Sequence, residues 1–312
     1  MKRTLKKKLI IAGGVAVFLL LAGYFAVAWY VSSVFIDFSA RSLEADRVRR
    51  HINGPADFGF PEEPEGVSVA SEGVTLAGWI FRSSPGKRCG VIVSHGHRNT
   101  RYGALPYAAL FYRRGCHVLV YDVRHHGDSK SEYGTYGYYE RRDLVALVDH
   151  FATATGLARR EIGLYGYSLG GSVSLQAAAL MPDIAFVGAD APYADLRDIV
   201  RVRGEAMYGA INSLLLPTVL WIAEWRSGAD FDDVSPRRDA ARIAAPVFLL
   251  HSSTDTYTPP VHSQEIYDAI EHERKELHFT TWGEDHVQSL KTNPAGYEAL
   301  VYGFLDRYVP GF

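Results

Sequence analysis

The sequence predicts an α/β fold: a mainly parallel central sheet flanked by helices, with a helical cap insertion and one long apolar helix at the N-terminus. Three observations predict it. Short, near-continuous apolar runs recur from residue 90 onward, the pattern of strands covered on both faces. Helical stretches alternate with them, which calls for right-handed crossovers between parallel strands. The 312 residues are 47% hydrophobic and 22% charged, enough for one large core.

The elements follow in order. The first eight residues, MKRTLKKK, carry five positive charges, and Leu9 to Ile36 then runs 28 residues without a charged side chain. A bilayer core needs about 20 apolar residues. Residues 1–36 therefore read as a membrane anchor, with Trp29 and Tyr30 suited to its far boundary. The alternatives are a secretory signal cleaved at AVA, Ala26 to Ala28, and a buried core helix. Signal cores run only about 7–15 residues. The five leading cations outnumber Arg41, Arg47, Arg49 and Arg50, which follow the span. That imbalance favours a cytoplasmic N-terminus and a large domain outside the cytosol.

Residues 37–66 read as a stalk and lead-in. DFSARSLEADRVRRHI can continue as an amphipathic helix, and the three prolines and three glycines of NGPADFGFPEEPEG break regular structure. The third segment, 67–312, opens on VSVAS and VTLAGWIFR, an antiparallel hairpin across Glu72-Gly73. Strands are predicted at 90–95, 117–122, 162–167, 185–190, 246–252 and 276–281. Helices are predicted in YAALFYRRG, YERRDLVALVDHFATATG and SLQAAALM. Between Pro192 and Pro246 the alternation stops, and the chain reads as helices that Pro217 interrupts or starts. This stretch is too long for a simple crossover. It predicts a cap over about residues 193–240, at the carboxyl edge of the sheet where open α/β sheets bind ligands. The alternative is an ordinary crossover with surface elaboration.

Composition excludes some classes. With 33 Lys+Arg against 35 Asp+Glu there is no basic surplus for a nucleic-acid partner. Two cysteines, Cys89 and Cys116, make neither a disulfide scaffold nor a four-cysteine metal site. They read as small buried side chains, or as a single bridge between neighbouring strand starts in an oxidising compartment.

The stretch IGLYGYSLGGSV, Ile162 to Val173, sets Ser168 between Gly166 and Gly170 where a strand gives way to a helix. The G-x-S-x-G pattern alone is weak. Its strand-to-helix placement is what a nucleophile elbow requires. The alternative is a helix N-cap serine. A serine nucleophile needs a base, and the base needs an orienting acid. PVFLLHSSTDTYTPP puts Asp255 just past a strand, and ELHFTTWGEDHVQS puts His286 just past the next. Both loops fall on the edge that carries Ser168. Asp285 adjoins His286, and adjacent side chains diverge, so Asp255 is preferred. Asp230, Asp232 and Asp233 read as solvated, and His251 as a hydrogen-bonded structural histidine. Oxyanion donors are expected in the backbone N–H of Leu169 and, in VIVSHGHRNTR, of His97, with Gly96 allowing close approach. His95 and His97 as a metal pair lack a supporting ligand cluster. In YDVRHHGDS, Asp122 and Arg124 read as a pair bracing the active edge, while His125 and His126 point apart. No metal site is expected.

HGH after the first central strand, DVRHHGDS after the next, GYSLGG at the bend, Asp255 and His286 together resemble the α/β-hydrolase superfamily. They run in the family's order over residues 67–312. GVTLAGWIF resembles the front hairpin of the branch related to monoacylglycerol lipases, serine aminopeptidases and membrane-anchored acyl-protein thioesterases. The resemblance implies the α/β-hydrolase fold and a cofactor-free serine hydrolase cleaving carboxylic esters or thioesters through an acyl-enzyme. It implies that Ser168 attacks, His286 shuttles the proton, Asp255 orients His286, and the N–H groups of Leu169 and His97 hold the oxyanion. Two loops depart from the family pattern: HSSTD, with Ser252 in place of a common glycine, and EDH at the base. The expected partners are a small or lipid-like acyl substrate and the membrane. Leu214 to Leu216, Trp221 and Trp225 are expected to shape an acyl pocket, touch the membrane or join the core. The competing readings are an aminopeptidase-type amide hydrolase, which needs an acidic group such as Glu205 or Glu224, and an inactive hydrolase-fold binding protein.

Overall fold

The computed structural model describes residues 2–38, 41–83, 87–282 and 285–312. The chain opens with helices α1 (Lys2–Ile36) and α2 (Leu43–Arg49), then strands β1 (Glu65–Ser71), β2 (Val74–Phe81) and β3 (Gly90–Ser94). There follow α3 (Arg101–Arg113), β4 (His117–Tyr121), α4 (Glu140–Thr155), β5 (Ile162–Tyr167), α5 (Leu169–Ala178) and β6 (Val187–Asp190). The insertion carries α6 (Leu196–Tyr208) and α7 (Ile211–Ser227), followed by the short α8 (Pro236–Ala240). The chain closes with β7 (Val247–Ser252), α9 (Val261–Ala269), β8 (Lys275–Thr280), α10 (Ser289–Thr292) and α11 (Pro294–Tyr308).

The strands form one eight-stranded sheet, ordered β1-β2-β4-β3-β5-β6-β7-β8. Only β2 breaks the parallel run, pairing antiparallel with β1 and β4. Strands β3, β5, β6 and β7 are buried along their whole length, as their unbroken apolar sequences require. On one face, Leu144, Leu147 and Phe151 of α4 pack with Val173 of α5. On the other, Tyr107 and Phe111 of α3 meet Val301 and Phe304 of α11. Cys89 and Cys116, each one step before its strand, are joined in a disulfide across neighbouring β3 and β4.

Three details differ from the sequence expectation. Helix α3 begins at Arg101 and runs through Pro106, its sixth residue, where the missing N–H forfeits the one ladder bond to the Tyr102 carbonyl. Pro217 likewise lies inside α7 and neither starts nor stops it. Asp122 and Arg124 do not pair. Buried Asp122 takes Arg101 at 2.8 Å, and buried Arg124 holds Asp143 at 2.7 Å. Asp122 and Arg124, on either side of Val123, each find a countercharge on a different helix, α3 and α4.

The 37–66 segment packs against the sheet domain, with Ile52 and Phe60 in its core. Helix α1 is long and apolar enough to cross a membrane. At about 1.5 Å per residue its 35 residues reach about 50 Å, well beyond a hydrocarbon core of about 30 Å. The surplus is used in the fold. From Tyr24 onward α1 lies along α7: the Tyr24 hydroxyl reaches Thr218 Oγ1 at 2.6 Å, and Arg226 donates to Ser33 Oγ at 2.6 Å. Ala28, Ser32 and Ile36, spaced four apart on one helical stripe, are fully buried. Residues Leu5 to Leu21, by contrast, leave their large apolar side chains exposed.

Candidate active site

Ser168 stands between the end of β5 and the first residue of α5, with φ 54° and ψ −126°. An L-residue rarely adopts this left-handed conformation, and holding it there costs about 1–3 kcal/mol. The flanking glycines are required by contact: a Cβ on Gly166 would lie 2.3 Å from the Gly170 carbonyl oxygen, and one on Gly170 would lie 2.2 Å from that of Ser94. Ser168 is not acting as an N-cap, since its side chain makes no bond to the helix N-terminus. Its N–H donates to Asp190 O at 2.7 Å, which ties the bend to β6.

The Ser168 hydroxyl meets His286 Nε2 at 2.8 Å, and His286 Nδ1 meets Asp255 Oδ2 at 2.7 Å. The second oxygen, Asp255 Oδ1, accepts the N–H groups of Tyr257 and Thr258 at 2.8 and 2.9 Å. Burial alone would raise the Asp255 pKa. Hydrogen bonds from His251 and His286, the nearby His286 charge and the Thr258 N–H overcome it and hold the carboxyl well below the usual range. His251 is the structural histidine expected, with Nδ1 against Ser263 Oγ at 2.6 Å and Nε2 donating to Thr258 O at 2.8 Å. Its Nε2 also lies 3.2 Å from Asp255 Oδ2, a brace on the acid that the sequence did not disclose.

Leu169 opens α5, so its N–H has no intrahelical partner. The N–H of His97 likewise meets no acceptor among the described residues. Both belong to residues lining the same cavity as Ser168. The loop carrying His97 is pinned by neighbouring imidazoles. His95 Nε2 accepts the Val123 N–H at 3.0 Å, and His126 Nε2 accepts that of Arg98 at 3.0 Å. Burial pushes the pKa of His95 and of His126 down to about 3, so both rings act as neutral acceptors.

Two cavities meet at Ser168. One, of about 490 Å³, is lined by apolar residues of the insertion, Leu196, Ile199, Leu215 and Leu216, and by Val27, Val31, Val34 and Phe35 of α1. The insertion is thus a cap over the serine, and α1 supplies one wall. The wall was not legible in the sequence, because an apolar helix reads the same whether lipid or protein covers it. Leu215 and Leu216 line the cavity, whereas Leu214, Trp221 and Trp225 face outward. The second cavity, about 1010 Å³, opens on the other side and is rich in arginine.

Other candidates fall away from the serine. Glu205 lies near Arg201, and Glu224 is held by Arg197 at 2.8 Å; neither lines either cavity. Asp232 and Asp233 pair with Arg197 and Arg141, Asp230 caps a short turn, and the run stays at the solvated surface as expected.

A family model described as the alpha/beta hydrolase family matches residues 91–310, and the chain belongs to that family. It is 33% identical over 219 residues to YqkD of Bacillus subtilis, covering 70% of this chain and 71% of that protein. A membrane protein of Saccharomyces cerevisiae, YNL320W, is 22% identical over 236 residues, covering 75% and 76% of the two chains. Among solved structures, the Pyrococcus furiosus esterase Pf2001 superposes with a TM-score of 0.65 at 26% identity, over 82% of this chain and 96% of the esterase. The acylaminoacyl peptidase of Pyrococcus horikoshii shares the fold with a TM-score of 0.61 at 16% identity, over 80% of this chain and 42% of the peptidase.

Proposed function

We propose that the protein is a membrane-tethered serine hydrolase that cleaves carboxylic ester or thioester bonds of acyl substrates. The observation that carries this reading is the hydrogen-bonded chain Asp255–His286–Ser168 at the mouth of an apolar cavity. Ser168 Oγ attacks the acyl carbonyl as His286 Nε2 takes its proton. Asp255 fixes the imidazole with Nδ1 protonated and stabilises the imidazolium that forms. The N–H groups of Leu169 and His97 receive the oxyanion. His286 returns the proton to the leaving oxygen or sulfur, and water then releases the acyl group by the same steps.

The esterase likeness at 26% identity supports ester cleavage. Glu205 and Glu224, the acidic groups considered for the aminopeptidase reading, line neither cavity at Ser168, which favours the ester reading. The tether reading rests on α1. The uncharged run from Leu9 to Tyr30, which keeps large apolar side chains exposed, spans about 33 Å, close to the thickness of a hydrocarbon core. Exposed Trp29, Tyr30, Trp221 and Trp225 suit the adjoining boundary. The Cys89–Cys116 bridge suits an oxidising compartment, and so agrees with a cytoplasmic N-terminus and a catalytic domain outside the cytosol.

The test is labelling with a serine-directed fluorophosphonate, with Ser168→Ala as control, followed by assays on acyl esters of graded length and on aminoacyl amides. The expected result is labelling that depends on Ser168, with turnover of esters and a preference for longer chains. Absence of labelling refutes the hydrolase reading; turnover of amides alone refutes the ester reading.

A further inference from the structure

The larger cavity beside Ser168 has a different chemistry from the apolar one. Six cationic side chains line it: Arg41, Arg49, Arg50, Arg98, Arg113 and Lys291. Asp57 is the one carboxylate lining it among the described residues, and its Oδ2 is taken by the Asn53 N–H at 2.8 Å. Behind the wall, Asp46 serves both Arg49 and Arg50, at 2.7 and 3.0 Å, so one negative charge answers two guanidiniums. Arg113 is matched by Glu298 at 2.5 Å. Arg41, Arg98 and Lys291 have no carboxylate partner among the described residues. Burial and the like charge of Arg49 lower the pKa of the Arg41 guanidinium against the pull of Asp46, and Arg98 and Arg50 add to the lowering, which marks crowded positive charge.

A second observation concerns His97. His97 lines both cavities, and its Nε2 is buried without a partner among the described residues. A buried polar nitrogen left unpaired is costly, so the wall between the cavities is short of a hydrogen-bond partner. His97, Ser168 and Tyr257 are common to the two linings. An acyl carbonyl held at Ser168, with its chain in the apolar cavity, must therefore direct its leaving group toward the cationic one.

We propose that the substrate's leaving group carries phosphate, so that the molecule cleaved is an acyl chain joined by an ester or thioester to a phosphorylated alcohol or thiol. This rests on Ser168 being the nucleophile. Arg98, Arg41 and Lys291 bind the phosphate oxygens, and the acyl chain lies against the cap and α1. Ser168 Oγ bonds to the acyl carbon, the C–O or C–S bond breaks, and the proton taken by His286 goes to the departing oxygen or sulfur. The phosphorylated alcohol or thiol leaves with its phosphate intact, and water completes the cycle by freeing the fatty acid. An exposed arginine cleft of this kind binds through charge, so added salt weakens it.

The experiment uses the full chain in detergent micelles and three substrates of equal acyl length: 1-oleoylglycerol, 1-oleoylglycerol 3-phosphate and oleoyl-coenzyme A. The second and third separate a lipid headgroup from a thioester carrier as the source of the phosphate. The readout is the ratio of kcat/KM for each phosphate-bearing substrate to that for the neutral one. The expected ratio exceeds one for at least one of them. It falls about tenfold or more in Arg41→Ala/Arg98→Ala/Lys291→Ala, the effect of losing charge-assisted bonds, and falls with added sodium chloride. Arg98→Lys, which keeps the charge, retains most of it. Should the triple variant fail to fold, Lys291→Glu at an exposed position reads the same ratio. A ratio at or below one for both substrates, or a ratio unmoved by the substitutions, overturns the inference. Labelling of Ser168 without hydrolysis of either phosphate-bearing substrate also overturns it and leaves the hydrolase reading standing. Absence of labelling overturns the hydrolase reading itself.

Discussion

Replacing Ser168 by glycine and by alanine should give an order of stability opposite to that at an ordinary site. Both variants lose the hydroxyl and its 2.8 Å bond to His286, so that loss cancels between them. What differs is the backbone. At an unstrained position alanine is more stable than glycine by about 0.5–1 kcal/mol, because glycine loses more freedom on folding. At φ 54° and ψ −126° the alanine Cβ keeps the strain of about 1–3 kcal/mol, and glycine releases it. The balance puts Ser168→Gly above Ser168→Ala by about 1 kcal/mol, within a range of about 0–2.5 kcal/mol. In a chain of this size that is a difference of a few degrees in melting temperature, since about 1 kcal/mol moves larger domains by about 2–4 °C. Thermal melts of the two variants in detergent, followed by near-ultraviolet circular dichroism, measure it. Neither variant should take up fluorophosphonate. A Ser168→Ala melt equal to or above that of Ser168→Gly would refute the claim that the bend is strained to present the serine.

Three further outcomes are expected. Cys89→Ser/Cys116→Ser opens a bridge with a sequence separation of 27 residues and should cost about 3 kcal/mol, read as a drop in the denaturant midpoint that reductant reproduces in the native chain. His95 and His126 have folded pKa values pushed down to about 3, below the unfolded value of about 6.5. Their contribution is present above pH 6.5 and is lost as pH falls below it. Each should therefore remove about 2 kcal/mol between pH 6.5 and 5, and denaturant titrations of His126→Asn should show a shallower loss over that window. Val31→Trp narrows the apolar cavity from the α1 side and should shift the ester preference toward short acyl chains, measured as the kcat/KM ratio of octanoyl to acetyl p-nitrophenyl esters; an unchanged ratio would remove α1 from the site.

How far the sequence disclosed this site depends on whether a residue's role is local. Gly166 and Gly170 are legible because the bend itself leaves no room for a Cβ. Asp255 and His286 are legible because strand ends on one sheet edge converge whatever the details of packing. The central strands are legible because burial on both faces leaves no polar positions. Partner choice is not local. Asp122 and Arg124 read in sequence as a pair, yet their countercharges, Arg101 and Asp143, sit on helices that only the folded chain brings near. The same holds for Arg41, Arg49 and Arg50. In sequence they mark the far side of a membrane span, and in the structure they wall a cleft with Arg98, Arg113 and Lys291, drawn from loops and helices far along the chain. Helix α1 could be read for length and apolarity, but which of its faces meets protein is fixed by α7, more than 170 residues away.

The tail of α1 has a consequence for control of the protein. Val27, Val31, Val34 and Phe35 belong at once to the helix that holds the chain in place and to the wall of the cavity beside Ser168. On the tethered reading, a protease cutting before Tyr24 would release a particle whose cavity is intact, whereas one cutting after Phe35 would strip the α1 wall and expose Val219 and Ile222. The first cut would keep the site, and the second would open it. Where the chain can be cut without harm is therefore set within a single helix, over about three turns.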